Sequence, residues 1–295
     1  MQALWMLLGA AFFATMGVCV KFAAAHFNSF ELVFYRGLVG SVFIGLLARQ
    51  RRVSLRTNYP GMHLWRSAVG VSSLCAWFYA IAVLPLPTAM TLNYMSGVWI
   101  AAFLVGSSWF ALRGGPRTQD TQWPLATAVL TGFLGVVLML QPTIAQNQIL
   151  AGLVGLVSGI LAAFAYLQVT ALGRIGEPET RTVFYFAVGT ALAGLVGMAV
   201  VGVSAWSWAD AVWLLPVGLF ASLGQLCMTR AYSRGTTLVV ANLQYSGIVF
   251  SVLYSMMLFD EAIPWVGWLG MALIIASGMT STLLRARAAS HPSSP

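Results

Sequence analysis

Charged residues are scarce in this sequence, and their scarcity excludes a soluble protein. Only 7% of the 295 residues are Asp, Glu, Lys or Arg, whereas a soluble globular domain has about 25%. So few charges cannot cover the surface of soluble domains of this length. Apolar runs of about 20 residues, the length at which a helix crosses a bilayer, recur along the whole chain. The sequence therefore predicts an all-α integral membrane protein.

Cysteine and histidine are equally scarce, which argues against metal sites and enzymatic chemistry. Cys19, Cys75 and Cys227 fall within apolar runs and have no close neighbour, so neither a disulfide framework nor a metal site is indicated. The three histidines form no ligand cluster. The chain has neither the HExxH motif of metal-dependent proteases nor an Asp-rich motif for magnesium. We therefore expect no enzyme activity, no cofactor and no bound metal.

The basic residues that are present indicate how the chain is oriented. All Lys and Arg residues except Lys21 and Arg36 lie in alternate loops and the adjoining helix ends, which predicts that these loops and both termini are cytoplasmic. Because these residues are scattered between apolar runs, the net charge of +8 favours contact with the lipid bilayer over nucleic acid. We expect a bacterial inner (plasma) membrane protein that is a monomer or a homodimer.

Ten apolar segments are expected to span the membrane, with short connections that leave no room for a soluble domain. They cover residues 3–25, 30–48, 61–83, 86–111, 125–142, 149–172, 180–203, 210–232, 236–259 and 264–284. The polar tail, residues 286–295, is predicted to be disordered.

Three short strings occur once in each half of the chain. VFYRGLVG from Val33 returns as VFYFAVG from Val183, GFLGVVLML from Gly132 returns as GWLGMALII from Gly267, and a Ser-Gly pair occurs at 96–97 and 246–247. Each half, 1–145 and 146–285, contains five spans. Because five is odd, the second half enters the membrane in the opposite sense. This pattern predicts two inverted-topology five-helix repeats with a substrate site between them near the midplane.

Several strings, taken in order, resemble one transporter family. FYRG at Phe34, TRAYSRG at Thr229 and FDEAIPWVGWLGMALIIASG at Phe259 are similar to the drug/metabolite transporter superfamily in its EamA-type exporter branch. The resemblance covers residues 1–285 and implies ten helices, alternating access and transport of small metabolites, often export. The acidic residue that often follows the fourth helix of a half is present as Glu261. The first half reads LRGGPRTQD there instead.

Two polar clusters are predicted to lie at the midplane, one in each half. Each precedes a glycine about eleven residues, or about 16 Å, into its span. Polar side chains at that depth face protein or a cavity, so they form either a substrate site or helix–helix hydrogen bonds beside a packing kink. The candidate residues are Asn93, Tyr94 and Ser96 before Gly97, and Asn242, Gln244 and Tyr245 before Gly247. Aromatic residues of neighbouring spans either line this cavity or fill the bundle core: Trp77, Tyr79, Trp99 and Tyr166.

Arg36 is the charge least easily explained by topology. It lies about 9 Å below the outer end of its span, on the same face as Gly40, so this face is expected to pack against protein. Glu31, five residues earlier, points elsewhere and is a poor partner. Arg36 can contact an anionic group of the substrate, hold a gate, or snorkel.

Other charges are candidates for gating or coupling. These are Lys21, which can pair with Glu31, Arg230, and Glu261. Arg66 is expected to snorkel to the cytoplasmic surface. Together, the embedded positive charge and the aromatic residues favour a secondary transporter that exports a carboxylate-bearing or amino-acid-like metabolite. The alternatives are a channel-like facilitator and an exporter of amphipathic or cationic drugs.

Overall fold

All regular secondary structure in the described part of the chain is helical. The computed structural model describes residues 2–100, 103, 127, 130–132, 134–135, 138, 148–234, 240, 243–260 and 263–290. Its helices are α1 (Gln2–Ala23), α2 (Ser29–Gln50), α3 (Pro60–Val83), α4 (Leu86–Tyr94), α5 (Ile149–Arg174), α6 (Glu179–Val201), α7 (Trp208–Ala211), α8 (Leu214–Arg234), α9 (Ser246–Leu258) and α10 (Trp265–Ser290).

Six segments of the described chain are long and apolar enough to cross a membrane. They are Leu4–Ala23, Ser29–Gln50, Pro60–Val83, Ile149–Arg174, Glu179–Val201 and Trp208–Arg234. These correspond to six of the ten expected spans, whereas the expected span 125–142 falls mostly outside the described residues. Large apolar side chains such as Leu64, Val200 and Met257 are exposed on the outside of the bundle, which suits lipid rather than water. The prediction of an all-α integral membrane protein is confirmed for this part of the chain.

Local sequence explains where α2 and α3 begin. The side chain of Asn28 accepts hydrogen bonds from the N–H groups of Phe30 and Glu31, and the Glu31 carboxylate accepts one from the Asn28 N–H. This reciprocal capping box starts α2. Pro60 stands at the start of α3, where its missing N–H costs no helical hydrogen bond.

Six of the long helices each have their principal neighbour in the other half of the chain. α1 packs along α8, α2 along α6, and α3 along α5, while α4 contacts both α5 and α9. α4 is buried along its whole length, so it lies at the centre of the bundle. The helices before residue 145 therefore pack mainly against helices after it.

The two helices that carry the repeated string VFY pack closely against each other. A Cβ placed at Gly37 of α2 would lie 2.7 Å from the Cα of Ala191 in α6, and one at Gly194 would lie 2.5 Å from the Cα of Phe34. Such distances leave no room for a side chain, so glycine permits the close antiparallel contact. Arg36 and Phe186 occupy the same position within VFYRGLVG and VFYFAVG, and this contact brings them together.

The expected span 86–111 is interrupted near its middle. α4 ends at Tyr94, Met95 forms a turn, and residues 96–100 are helical again. A similar turn at Tyr245 precedes α9. A Cβ at Gly247 would lie 2.5 Å from Cε2 of Tyr94, and one at Gly97 would lie 2.8 Å from Oη of Tyr245. Tyr94, at the first turn, thus packs on Gly247, which follows the second turn. Tyr245, at the second turn, packs on Gly97, which follows the first.

Candidate substrate site

A cavity lies in the middle of the bundle. Its volume is about 40 Å³, room for a few water molecules at about 10–15 Å³ each. Among the described residues, its lining is aromatic, polar and positively charged and includes no carboxylate. The aromatic members are Phe13, Trp77, Tyr94, Tyr166 and Phe186, and the polar or charged members are Arg36, Arg66, Ser73, Asn93 and Gln225.

Two arginines approach one aromatic ring at this cavity. Arg36 of α2 and Arg66 of α3 are only 4% and 3% exposed. Their guanidinium carbons lie 5.3 and 4.1 Å from the ring centroid of Phe186 in α6. A desolvated cation–π contact contributes about 2 kcal/mol, so the ring partly compensates the burial of both charges. Nε of both arginines and Nη1 of Arg66 are buried without a hydrogen-bond partner among the described residues.

The prediction that Arg66 snorkels to the surface is wrong. Arg66 lies six residues after Pro60, or about 9 Å into the bundle, and its side chain turns inward. Space for this is provided by Gly70 one turn later, because a Cβ there would collide with Nη1 of Arg66 and lie 3.0 Å from Phe186. Each cavity arginine is followed by glycine at i+4, Gly40 after Arg36 and Gly70 after Arg66. That shared spacing was a sequence signal for Arg66.

The face of α2 that carries Arg36 packs against protein, as predicted from Gly40. A Cβ at Gly40 would lie 3.0 Å from Oγ of Ser222 and 3.4 Å from Cβ of Ala187. Arg36 therefore faces α6 and α8, and the structure excludes the lipid-facing alternative. Glu31 is held elsewhere: Ser204 donates to its carboxylate from Oγ at 2.7 Å and from N–H at 3.0 Å.

The polar residues of α4 line the cavity and also bind their neighbours. Nδ2 of Asn93 donates to Oγ of Ser158 at 3.1 Å, and Oγ of Ser73 donates to the Ser158 carbonyl at 2.8 Å. Asn93 thus fixes α4 to α5 while it lines the cavity. Ser96 is buried and is not among the described lining residues. Neither serine partner, Ser73 or Ser158, was predicted from the sequence, since single serines in apolar helices carry no distinctive pattern.

Gln244 links two tyrosines from different helices, Tyr166 of α5 and Tyr232 of α8. It accepts a hydrogen bond from the Tyr232 hydroxyl at 2.9 Å and donates from Nε2 to Oη of Tyr166 at 3.3 Å. The rings of Tyr166 and Tyr232 stack with centroids 5.6 Å apart. Tyr166, the member of this group that lines the cavity, is therefore fixed in position by the segment that precedes α9. Asn242, its predicted companion, lies outside the described residues.

The predicted aromatic residues separate into two groups. Trp77 and Tyr166 line the cavity. Tyr79 is 38% exposed and lies outside the cavity, because two residues along a helix turn a side chain by about 200° from Trp77. Trp99 stacks on Phe103 at 6.4 Å and is not among the described lining residues.

The two gating candidates within the described residues, Lys21 and Arg230, do not line the cavity. Lys21 donates from Nζ to the Leu84 carbonyl at 3.1 Å and lies 5.0 Å from the ring centroid of Phe259. Since Ser204 and Asn28 occupy the Glu31 carboxylate, the suggested Lys21–Glu31 pair does not form. Arg230 lies over the ring of Trp5 at 4.6 Å, and Glu261 falls outside the described residues.

A polar cluster around the buried side chains of His63 and Glu177, which the sequence did not predict, joins the chain between α2 and α3 to the start of α6. We call it the Glu177 cluster; it comprises Ser54, Thr57, His63, Glu177, Arg181 and Tyr185. The ring of Tyr185 stacks on His63 with centroids 4.6 Å apart. Glu177 accepts hydrogen bonds from Thr57 at 2.6 Å and from Arg181 at 2.7 Å. Arg181 also donates to the Ser54 carbonyl at 2.8 and 3.0 Å. The cluster therefore fixes a loop of the first half to a helix of the second.

Backbone geometry and charge hold Glu177 in this cluster. Gly176 has a φ of 81°, and the N–H of Glu177 donates to the Leu172 carbonyl, as in a glycine-terminated helix end. Burial raises the pKa of Glu177, but hydrogen bonds from Thr57 and Arg181 and the nearby positive charge outweigh it. The pKa of Glu177 is therefore lowered, and the carboxylate is ionised at neutral pH. His63, also buried, lies 3.8 Å from it.

The helical fold and its central cavity define an integral membrane protein of the small-molecule transporter class, and comparisons identify the family. Residues 1–106 match the EamA-like transporter family. The pseudopaline exporter of Pseudomonas aeruginosa strain UCBPP-PA14 is 31% identical over 274 residues, covering 90% of each chain. The chain belongs to the EamA-like transporter family. The predicted membership of the drug/metabolite transporter superfamily is confirmed, and the chain is a transporter rather than an enzyme.

Two further comparisons cover nearly the whole chain. A riboflavin transporter of Rhizobium johnstonii is 27% identical over 280 residues, which make up 94% of this chain and 89% of the relative. A solved crystal structure has a TM-score of 0.69 at 18% identity, covering 97% of this chain and 98% of the other. The second comparison shows that the two chains share a fold.

Proposed function

We propose that this chain exports a small organic anion across the bacterial inner membrane by alternating access around the central cavity. The observation that carries the proposal is the pair of buried guanidinium groups, Arg36 and Arg66, in a cavity without a described carboxylate. A buried charge inside a membrane protein is costly, so such charges usually mark a functional site. Two such cations attract an anion and repel a cation, so they disfavour the alternative of cationic drugs.

The proposed architecture has ten helices in two inverted five-helix repeats. It is supported by the packing of Tyr94 on Gly247 and of Tyr245 on Gly97, which relates two equivalent segments reciprocally. The repeated strings on α2 and α6, which pack antiparallel, agree with the same relationship. Both termini are then cytoplasmic, and the Glu177 cluster lies at the cytoplasmic end beside exposed arginines such as Arg51 and Arg56.

The size of the cavity favours a carrier over a channel-like facilitator. A volume of about 40 Å³ is too small for an organic metabolite, so helices must move for the substrate to enter. In alternating access, one end opens while the other stays closed. The Glu177 cluster suits the role of a cytoplasmic gate, because it joins the two halves through hydrogen bonds that solvent can replace. Export is favoured because a relative of 31% identity is named an exporter.

Ligand binding by the purified protein tests this function first. The unfolding midpoint is measured in detergent at constant ionic strength with succinate, glutamate, butyrate or tetraphenylphosphonium. Bound ligand raises the midpoint by mass action, and we expect organic anions to do so and the cation to have no effect. Stabilisation by tetraphenylphosphonium alone would contradict the proposal.

Transport is then measured in proteoliposomes with the stabilising anion. A carrier shows saturable uptake that is accelerated by unlabelled anion inside the vesicles, whereas an open pore shows neither property. Arg36→Ala should abolish this counterflow, while Tyr79→Phe, which alters an exposed residue outside the cavity, should preserve it. Non-saturable flux that is unchanged in Arg36→Ala would overturn the carrier assignment.

A further inference from the structure

We propose that the substrate is a dianion, a small molecule whose two negative charges are bound by Arg36 and Arg66 together. This inference rests on the proposed function and narrows its substrate class.

The two guanidinium groups are close enough to share one small ligand. The guanidinium carbons of Arg36 and Arg66 lie 5.3 and 4.1 Å from the centroid of the Phe186 ring. The two distances total 9.4 Å, so the guanidinium carbons of Arg36 and Arg66 lie no farther apart than that. A molecule with acidic groups two or three carbons apart can therefore reach both.

The charge balance of the cavity calls for two negative charges. Two like charges repel each other, and their interaction strengthens as the surrounding dielectric falls. No described Asp or Glu lines the cavity, and the ring of Phe186, over which both guanidinium groups lie, is neutral. A monoanion would leave one arginine uncompensated, whereas a dianion compensates both. Guanidinium groups bind carboxylate and phosphate oxygens through paired hydrogen bonds, so either chemistry satisfies the site.

Phe186 explains how the site tolerates both arginines when no substrate is bound. Its ring supplies a weak, neutral partner for both cations, which an anion with full negative charge can displace. Nε of Arg36 and Nε and Nη1 of Arg66 have no hydrogen-bond partner among the described residues, so donors are available for a ligand. The rings of Trp77 and Tyr94, which also line the cavity, can contact the carbon part of such a molecule.

Pairs of ligands that differ by one charge test this inference on the full-length protein. Succinate is compared with succinamate, and glutarate with glutaramate, by thermal shift and by titration at constant ionic strength. Since a charge-assisted hydrogen bond changes affinity by about 10- to 100-fold, we expect the Kd of each dicarboxylate to be lower by that factor. Glycerol 3-phosphate is measured in parallel, and a preference for it would support the dianion and identify phosphate as its source.

Single substitutions identify the residues that recognise the second charge. Arg36→Gln and Arg66→Gln should each reduce the preference for succinate over succinamate to within about threefold. Arg56→Gln removes an equal charge from an exposed position outside the cavity and should retain the full preference. If either cavity variant fails to fold, Arg36→Lys and Arg66→Lys retain the charge without the planar guanidinium and should keep a measurable preference for succinate.

The possible results separate this inference from the proposed function. Equal affinity of the wild-type protein for succinate and succinamate would overturn the dianion and leave an organic-anion carrier intact. Binding of tetraphenylphosphonium without any anion would overturn both. A preference for succinate that survives in both glutamine variants would also overturn the inference, because the second charge would then be recognised elsewhere.

Discussion

Phe186 lies against Arg36, the residue whose place it takes in the second copy of the repeated string. The guanidinium carbon of Arg36 is 5.3 Å from the centroid of the Phe186 ring, and Arg66 approaches the same ring at 4.1 Å. An arginine at position 186 would bring a third cation to this point. The difference between VFYRGLVG and VFYFAVG therefore has a physical reason, since the phenylalanine stabilises the charge that the first copy carries.

Replacing Phe186 by leucine should lower stability by removing this shared partner. The loss of a buried ring and of two cation–π contacts is expected to cost about 1–3 kcal/mol, seen as a lower unfolding midpoint in detergent. Phe184→Leu is the matched control, because Phe184 lies two residues away and is half-buried, and no cation of the described residues lies over its ring. Equal effects of the two substitutions would show that Phe186 acts only by filling space.

Gly70→Ala should displace Arg66 without unfolding the protein. A Cβ at position 70 meets Nη1 of Arg66, the far end of a flexible side chain, so the arginine rather than the helix should move. Succinate binding is expected to weaken by about tenfold or more, as measured by titration. Gly61→Ala lies in the same helix with nothing within 4 Å of the added Cβ and should bind normally. Unchanged binding in Gly70→Ala would mean that the position of Arg66 is unimportant.

Features that depend on local composition were predictable, whereas the direction of individual side chains was not. α2 and α6 end within a few residues of the expected spans because a membrane helix is recognised by its own apolar length. Gly40 correctly indicated the packed face of α2, since i+4 spacing is a property of one helix. In contrast, Arg66 turns inward toward Phe186 on another helix. The spacing of Arg66 and Gly70 signals a packed face of α3, but no pattern within α3 identifies the ring that Arg66 meets.

Within the candidate site, too, local features were predictable from the sequence and contacts between distant segments were not. Trp77 and Tyr79 were grouped by composition, although helical periodicity already separated their directions by about 200°. Periodicity still could not tell which of the two faced the cavity, because that depends on how α3 is rotated against α5 and α6. The Glu177 cluster joins residues 54 and 181, and such a distant pairing has no signal in a single sequence.

The Glu177 cluster should make stability depend on pH in the acid range. Because the pKa of Glu177 is lowered in the folded protein, its ionised form stabilises the fold at pH values above the unfolded pKa of about 4.3. This contribution is lost as the pH falls through the folded pKa. At pH values below about 4, the unfolding midpoint of the protein should therefore decrease. Glu177→Gln should flatten this part of the profile and cost about 1–3 kcal/mol at pH 7.

Glu179→Gln provides the comparison for this experiment. Glu179 pairs with Arg234 at 2.8 Å, and that arginine is largely exposed, so removing the pair should cost about 1 kcal/mol or less. Unfolding midpoints from pH 3 to pH 8 measure both variants against the wild type. An acid profile of Glu177→Gln that matches the wild type would show that other carboxylates control the transition.

Cysteine labelling should establish the orientation of the chain. In a variant without Cys19, Cys75 and Cys227, a cysteine replacing Arg56 or Trp208 is offered to a membrane-impermeant maleimide. Both positions are exposed, and they lie at opposite ends of the bundle. With cytoplasmic termini, Trp208→Cys is labelled in intact cells and Arg56→Cys only after lysis. The reverse pattern would invert the proposed topology.

The two glycine–tyrosine contacts beside the central turns should respond differently to removal of the tyrosine hydroxyl. A Cβ at Gly97 meets Oη of Tyr245 at 2.8 Å, with the next atom of that ring at 3.7 Å. A Cβ at Gly247 meets Cε2 of Tyr94 at 2.5 Å, an atom that phenylalanine retains. Gly97→Ala and Gly247→Ala should therefore both impair counterflow, but only the first defect should be relieved by removing a hydroxyl.

The test combines each glycine substitution with Tyr→Phe at its partner. Gly97→Ala with Tyr245→Phe should recover the counterflow rate of Tyr245→Phe alone, because the added methyl group then lies at ordinary contact distance from the ring. Gly247→Ala with Tyr94→Phe should remain as impaired as Gly247→Ala. Rescue in both pairs, or in neither, would mean that the turns at Met95 and Tyr245 are not held by these contacts.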